Sequence, residues 1–248
     1  MRLSPSAISM FLECPAKFWF FVKKYKPSFI PEEYEFGAKL HKIVEYYYKS
    51  IPTEVTLSEI DIYIDNAIQK AFNLPYFQIS GKYKFFRKYL KKFEKFRLSN
   101  NLRVVAVEKK GQYKYLVGIA DLILQSPNGE RIVVDWKSST LKNSFPTYMQ
   151  IQGCLYSYIF SVNKVIFFSL TAGNWEQITV SQCEKVAELL DQVFELIKQR
   201  HSQKKRGEWC KSCPYQIACW YQEIKNYLGE GYATGINYEK GRDFQEKT

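Results

Sequence analysis

Arg131-Ile132-Val133-Val134-Asp135-Trp136-Lys137 is the stretch on which the fold turns. An apolar, β-branched run reads as a strand, and here the strand ends in charges. Side chains two apart on a strand share a face, so Asp135 and Lys137 point the same way. Just upstream, Ser126-Pro127-Asn128-Gly129 is a strong turn signal. The runs Arg103 to Lys109 and Tyr113 to Leu124 are rich in Val, Ile and Tyr, so together the three predict a meander. A hairpin between the last two brings Asp121, in Gly118-Ile119-Ala120-Asp121-Leu122-Ile123, alongside Asp135.

Around this centre the period changes. Ser4 to Tyr25, Phe36 to Ser50, Ser58 to Phe72 and Lys82 to Leu98 carry apolar residues at helical spacing. Downstream, a helix is predicted over Tyr148 to Phe160, strands near Lys164 to Leu170 and Gln177 to Val180, and a helix over Ser181 to His201. The expected fold is α/β, a central mixed sheet flanked by helices. No repeat, low-complexity segment or Gly/Ser linker interrupts residues 1–248, so the chain reads as a single domain.

The 36 Lys and Arg against 25 Asp and Glu give a net charge of +11, which favours polyanions as partners, nucleic acid above all. A hydrophobic content of 46% is ample for a core. Ser4 and Pro5 read as a helix cap and first turn instead of a cleavable signal. The densest apolar stretch, Phe18 to Val22, is far shorter than the roughly 20 residues of a membrane span. A cytoplasmic protein without membrane contact is expected, and its six cysteines are then expected as thiols or metal ligands.

Two carboxylates side by side can share a cation. Mg²⁺ suits them, because it takes oxygen ligands and keeps several waters. With the Lys137 ammonium beside it, such a site can activate water and offset negative charge growing on a phosphodiester. The bland alternative is a surface hairpin with an ordinary ion pair. Glu108 on the preceding strand is a further candidate ligand, and the His41 imidazole is another if Mn²⁺ binds. Gln152 and Tyr156, four apart, share a helical face from which amide and phenol can orient phosphate or lysine.

The ordered series Gly37 to His41, Gly118 to Asp121, Asp135-Trp136-Lys137 and Gln152-Gly153-Cys154-Leu155-Tyr156 resembles the RecB-like branch of the PD-(D/E)xK nucleases. That resemblance implies a restriction-endonuclease-like core over residues 101–200, with 36–100 as a helical insertion. It also implies metal binding by His41, Asp121 and Asp135, a catalytic Lys137, and a Gln152/Tyr156 motif at the active site.

Cys210-Lys211-Ser212-Cys213 followed by Cys219 forms a C-x2-C-x5-C knot, and Cys14 is the best fourth ligand. Cys154 and Cys183 fall inside predicted helices and read as buried thiols. Spacing alone leaves Zn²⁺ and an iron-sulfur cluster both open. The layout resembles the iron-sulfur nucleases, among them the CRISPR-associated exonucleases, which implies a 4Fe-4S cluster joining residues 1–30 to 205–222. The same resemblance implies DNA with single strands or free ends as substrate and CRISPR integrase-type partners. A stand-alone repair or viral exonuclease, and a non-catalytic DNA-binding module, are the competing readings.

The helix Lys82 to Leu98 presents Lys84, Arg87, Lys88, Lys91, Lys92 and Lys95 as candidate DNA-backbone contacts, with Lys204-Lys205-Arg206 as a second basic run. Tyr46 to Tyr48 and Trp209 are candidates for stacking on bases.

Overall fold

A computed structural model describes residues 2–30, 32–52, 55–73, 81–139, 141 and 147–228. Five strands, β1 (Arg103–Tyr113), β2 (Leu116–Gln125), β3 (Arg131–Lys137), β4 (Lys164–Ser169) and β5 (Trp175–Thr179), form one sheet in sequential order. Neighbours are antiparallel except β3 and β4, which run parallel. A parallel pair needs a crossover, and α6 (Thr147–Phe160) lies in that connection. The expected mixed sheet and its meander are therefore present.

The remaining helices are α1 (Pro5–Glu13), α2 (Pro15–Val22), α3 (Glu32–Ser50), α4 (Ile60–Phe72), α5 (Gly81–Ser99), α7 (Glu184–Lys198) and α8 (Gln216–Leu228). The single helix expected from Ser4 to Tyr25 is two. Pro15 disfavours a helical residue before it, and Cys14 is extended, with φ −157° and ψ 108°. Likewise Val180–Gln182 forms a separate 3₁₀ turn boxed by Thr179 and Gln182, with α7 starting only after Cys183. Among the described residues no helix is long and apolar enough to cross a membrane.

Backbone contacts gather the chain into two compact units where the sequence shows no boundary: Met1–Pro5 with Glu33–Leu190, and Ser6–Glu32 with Asp191–Thr248. In the first unit, alternation along β3 sends Ile132, Val134 and Trp136 into one core with Leu40, Ile43, Tyr47, Ile64 and Phe93 of α3 to α5. Val133 joins the opposite core, with Val165, Phe167, Met149, Cys154 and Tyr156. Behind β3, Arg97 and Glu94 form a buried ion pair at 2.7 Å, only 4% and 0% exposed. The Tyr48 hydroxyl donates to Glu94 at 2.6 Å, and its ring stacks on Trp136 at 5.9 Å. Tyr47 and Tyr48 are thus core residues, unavailable for stacking on bases.

One cysteine assignment is overturned. Cys154 and Cys183, expected as separate thiols, are joined in a disulfide. Packing of α6 against the turn before α7 brings their Cα atoms to 5.4 Å, a separation such a bond spans.

The second unit has its own small core of Ala16, Phe20, Tyr215 and Ala218. Trp19 Nε1 donates to the His201 carbonyl at 2.7 Å, fastening α2 to the segment after α7.

Candidate active site

Strand register builds the site. Val107 pairs with Leu122 and Lys109 with Ala120, which puts Glu108 opposite Asp121. Leu122 pairs with Val134, which puts Asp121 opposite Asp135. Three acidic residues therefore form a row across β1, β2 and β3. Glu108 stands at φ +51°, a left-handed conformation uncommon for any residue but glycine and concentrated at functional positions.

Lys137 Nζ lies 2.6 Å from Asp135 Oδ2 and donates to Gln152 Oε1 at 2.9 Å. Gln152 Nε2 in turn donates to the Tyr156 hydroxyl at 3.4 Å and, at the limit of 3.5 Å, to Asp135 Oδ1. His41 Nδ1 stands 3.5 Å from Asp121 Oδ2, and that same oxygen accepts the Trp136 backbone N–H at 2.8 Å. Thus His41, Asp121, Asp135, Lys137, Gln152 and Tyr156 come together, with Glu108 at the end of the row. The Trp136 amide is a contact that sequence reading misses, since any residue supplies one. Gly37, part of the Gly37 to His41 motif, lies where an added Cβ would stand 2.8 Å from Ser138 Oγ and 3.3 Å from Ser138 Cβ, so its lack of a side chain eases the close approach of α3 to the end of β3.

The electrostatics are those of a site built for positive charge. Burial pushes the Asp135 carboxyl above its ordinary range and Asp121 adds to this, against the pull of the Lys137 ammonium. Burial, then Asp121 and Glu45, raise Glu108. Glu45, one helical turn beyond His41, is a fourth carboxylate near the row, engaged by Lys42 at 2.9 Å and Lys49 at 2.6 Å. Burial disfavours the charged His41 imidazole, but its hydrogen bond to Asp121 and the nearby negative charge outweigh that and raise its pKa. Burial, with Asp135 and Asp121, holds Tyr156 well above the ordinary phenol range, so it acts as a neutral hydroxyl.

Asp135 Oδ2 is buried and accepts no hydrogen bond of good geometry, although Lys137 is close. A buried carboxylate oxygen held against an ammonium and among repelling carboxylates sits where a hard cation is also favoured. Among the described residues, no three of His, Cys, Asp or Glu are drawn tightly enough together to hold a metal ion. The carboxylates are turned instead towards Lys137, His41 and the Trp136 amide.

In the second unit, Cys14, Cys210, Cys213 and Cys219 are free, half-buried, and line one cavity of about 420 Å³. Burial raises the Cys213 and Cys219 thiols, and the charge of Cys14 raises both further. Lys17, Lys204, Lys205, Arg206 and Lys211 line the same cavity.

The basic helix α5 divides by partner. Arg87 and Lys91 turn towards α4, meeting Asp61 at 3.2 and 2.7 Å, and Arg87 also meets Asp65 at 3.4 Å. Lys88, Lys92 and Lys95 are exposed. The Lys84 side chain lies outside the described residues.

The solved structure of SSO0001 is similar over 74% of this chain and 94% of that one, at 18% identity and a TM-score of 0.35. No curated protein matches the chain. Residues 2–220, which include both the acidic row and all four free cysteines, match the model of the PD-(D/E)xK nuclease superfamily, and the chain belongs to that superfamily.

Proposed function

We propose that the chain is a metal-dependent DNA nuclease that hydrolyses phosphodiesters as an exonuclease on single-stranded or open-ended DNA. The observation that carries this reading is the row of Glu108, Asp121 and Asp135 with the Lys137 ammonium held against it. Asp121 and Asp135 would hold Mg²⁺ or Mn²⁺, assisted by His41 and Glu108. Such an ion, when bound, supplies Lewis acidity and a water acidic enough to attack near neutral pH.

The chain's own residues do the rest. Gln152 Oε1 accepts a hydrogen bond from the Lys137 ammonium and Asp135 lies against it, which fixes its direction and leaves a third N–H for a non-bridging phosphate oxygen. Tyr156, kept neutral, holds the Gln152 amide in that orientation. The Trp136 amide holds the Asp121 carboxylate. Lys88, Lys92 and Lys95 supply backbone contacts along the strand.

The free cysteines extend the reading. The four cysteines line one basic cavity without being drawn into a ligand cluster, so a 4Fe-4S cluster would have to gather them there, and the surrounding lysines would lower the cost of deprotonating their thiols. The finer assignment, trimming of DNA for CRISPR spacer acquisition beside integrase-type partners, rests on chain length and the cysteine layout.

Cleavage of end-labelled single strands with Mn²⁺ tests the mechanism. Wild type is expected to cut, and Asp135→Ala and Lys137→Ala to lose about 10²-fold or more. A wild-type protein that binds DNA without cutting it refutes the proposal, as do variants that cut equally well.

A further inference from the structure

Within the same unit as the acidic row lies an aromatic pocket that the hydrolytic machinery does not use. Phe36, Phe85, Phe86, Tyr89 and the Leu170–Thr171 pair line a cavity of about 360 Å³, with Leu40 completing it. Phe86, Leu40 and Leu170 are buried, but Phe85 is 69% exposed on the same helix that carries the lysines.

The pocket is continuous with the active site through the backbone. The Leu170 N–H donates to the Lys137 carbonyl at 2.8 Å, and Thr171 Oγ1 donates to the Ser138 carbonyl at 3.3 Å. Leu40 immediately precedes His41 on α3. One wall thus grows from the strand ends that carry the catalytic lysine, and another from the helix that carries the imidazole.

Two lysines of α5 lie near Tyr89, one wall of the pocket. Lys88 Nζ lies 5.8 Å from the centre of the Tyr89 ring. Lys92 donates to the Gly173 carbonyl at 2.7 Å, on a turn where Gly173 packs tightly against Tyr89. The carboxylates nearest this helix, Asp61 and Asp65, are engaged by Arg87 and Lys91. An apolar pocket lined by aromatic rings, with the Lys88 ammonium near the Tyr89 ring and Lys92 on the neighbouring Gly173 turn, complements an aromatic group that carries an anion. A nucleotide unit is such a group, and an apolar peptide or lipid tail would leave the lysines unused.

We infer that this pocket seats one unstacked nucleobase of a DNA single strand, adjacent to the phosphate held at the acidic row. The inference rests on the nuclease reading of that row and adds the basis of strand selection. A base within a duplex cannot enter without leaving its stack, whereas a single strand offers its bases at little cost. Stacking on a ring is tolerant of sequence, because every base has a π-face.

The test uses the full chain and 5′-fluorescein-labelled 20-nucleotide single strands, read by anisotropy in EDTA so that binding is separated from cutting. Phe85 is exposed, so its replacement should leave folding intact. Phe85→Ala is expected to weaken binding about 5- to 100-fold, and Phe85→Trp to restore it. A strand with one abasic position, moved stepwise along the oligonucleotide, should lose a similar factor at one register with wild type and nothing further with Phe85→Ala. Equal binding by wild type and Phe85→Ala overturns the pocket, and so does an abasic loss that is independent of Phe85. If Mn²⁺ produces no cutting while the Phe85 and abasic effects persist, the nuclease reading fails and the pocket stands. If wild type binds no single strand at all, the pocket fails too.

Discussion

Gly153 gives the sharpest test of how tightly the site depends on packing. Ala is favoured over Gly inside a helix by about 1 kcal/mol, so Gly153→Ala in α6 would ordinarily stabilise. Here the added Cβ would stand 2.9 Å from Ile178 Cγ1, 3.1 Å from Ile178 Cβ and 3.1 Å from Phe167 Cε2. Ile178 and Phe167 are both buried on the sheet, and a β-branched carbon attached directly to a strand has no rotamer that moves it aside. Overpacking of this kind costs about 1–3 kcal/mol, so the net change should be a destabilisation of about 0–2 kcal/mol. The larger effect should fall on chemistry. Lifting α6 by a few tenths of an ångström moves Gln152, whose 2.9 Å bond aims Lys137. The rate constant for cutting should drop about tenfold or more, while the affinity for single strands, measured without metal, stays within about twofold. Gly81→Ala, with nothing within 4 Å of its added carbon, is the control and should change neither. A Gly153→Ala protein that melts higher than wild type and cuts at the wild-type rate would refute the reasoning, since it would show that the sheet face yields freely.

Glu94→Ala should destabilise the first unit by about 3–5 kcal/mol in chemical denaturation, because it strands the Arg97 guanidinium, 4% exposed, in the core. Reducing the Cys154–Cys183 bond, which closes a sequence separation of 29 residues, should cost up to about 3–4 kcal/mol, seen as a lower melting temperature with dithiothreitol. A Cys154→Ser/Cys183→Ser protein should show no such response to the reductant. Mg²⁺ or Mn²⁺ at about one hundred times its dissociation constant should stabilise the protein by about 2.7 kcal/mol, or roughly 5–10 °C in melting temperature. That gain should vanish in Asp121→Asn/Asp135→Asn, and its persistence there would place the ion elsewhere.

The sheet was legible in the sequence because its cues are local. β-branched runs, a Pro-Asn-Gly turn and period-two alternation put Asp135 and Lys137 on one face, and the register of β2 against β3 confirms the alignment with Asp121. Helix ends were less legible. The break at Cys14-Pro15 and the late start of α7 depend on single backbone conformations that apolar spacing does not record. Partnership was least legible, because it is decided between elements distant in sequence. A lysine at position 88 and an arginine at position 87 look alike in a basic helix, yet only the second finds Asp61 and Asp65 on α4. Two cysteines separated by 29 residues read as independent thiols until α6 packs beside the turn before α7. Phe85 and Phe86 are neighbours in the same apolar stripe, and only tertiary packing buries one and leaves the other open. Residue types therefore announced the proposed hydrolytic centre, whose chemistry demands carboxylates and a lysine whatever surrounds them. The base pocket has no such signature, because phenylalanine and tyrosine serve a core and a binding slot equally well, and only exposure beside the strand ends tells them apart.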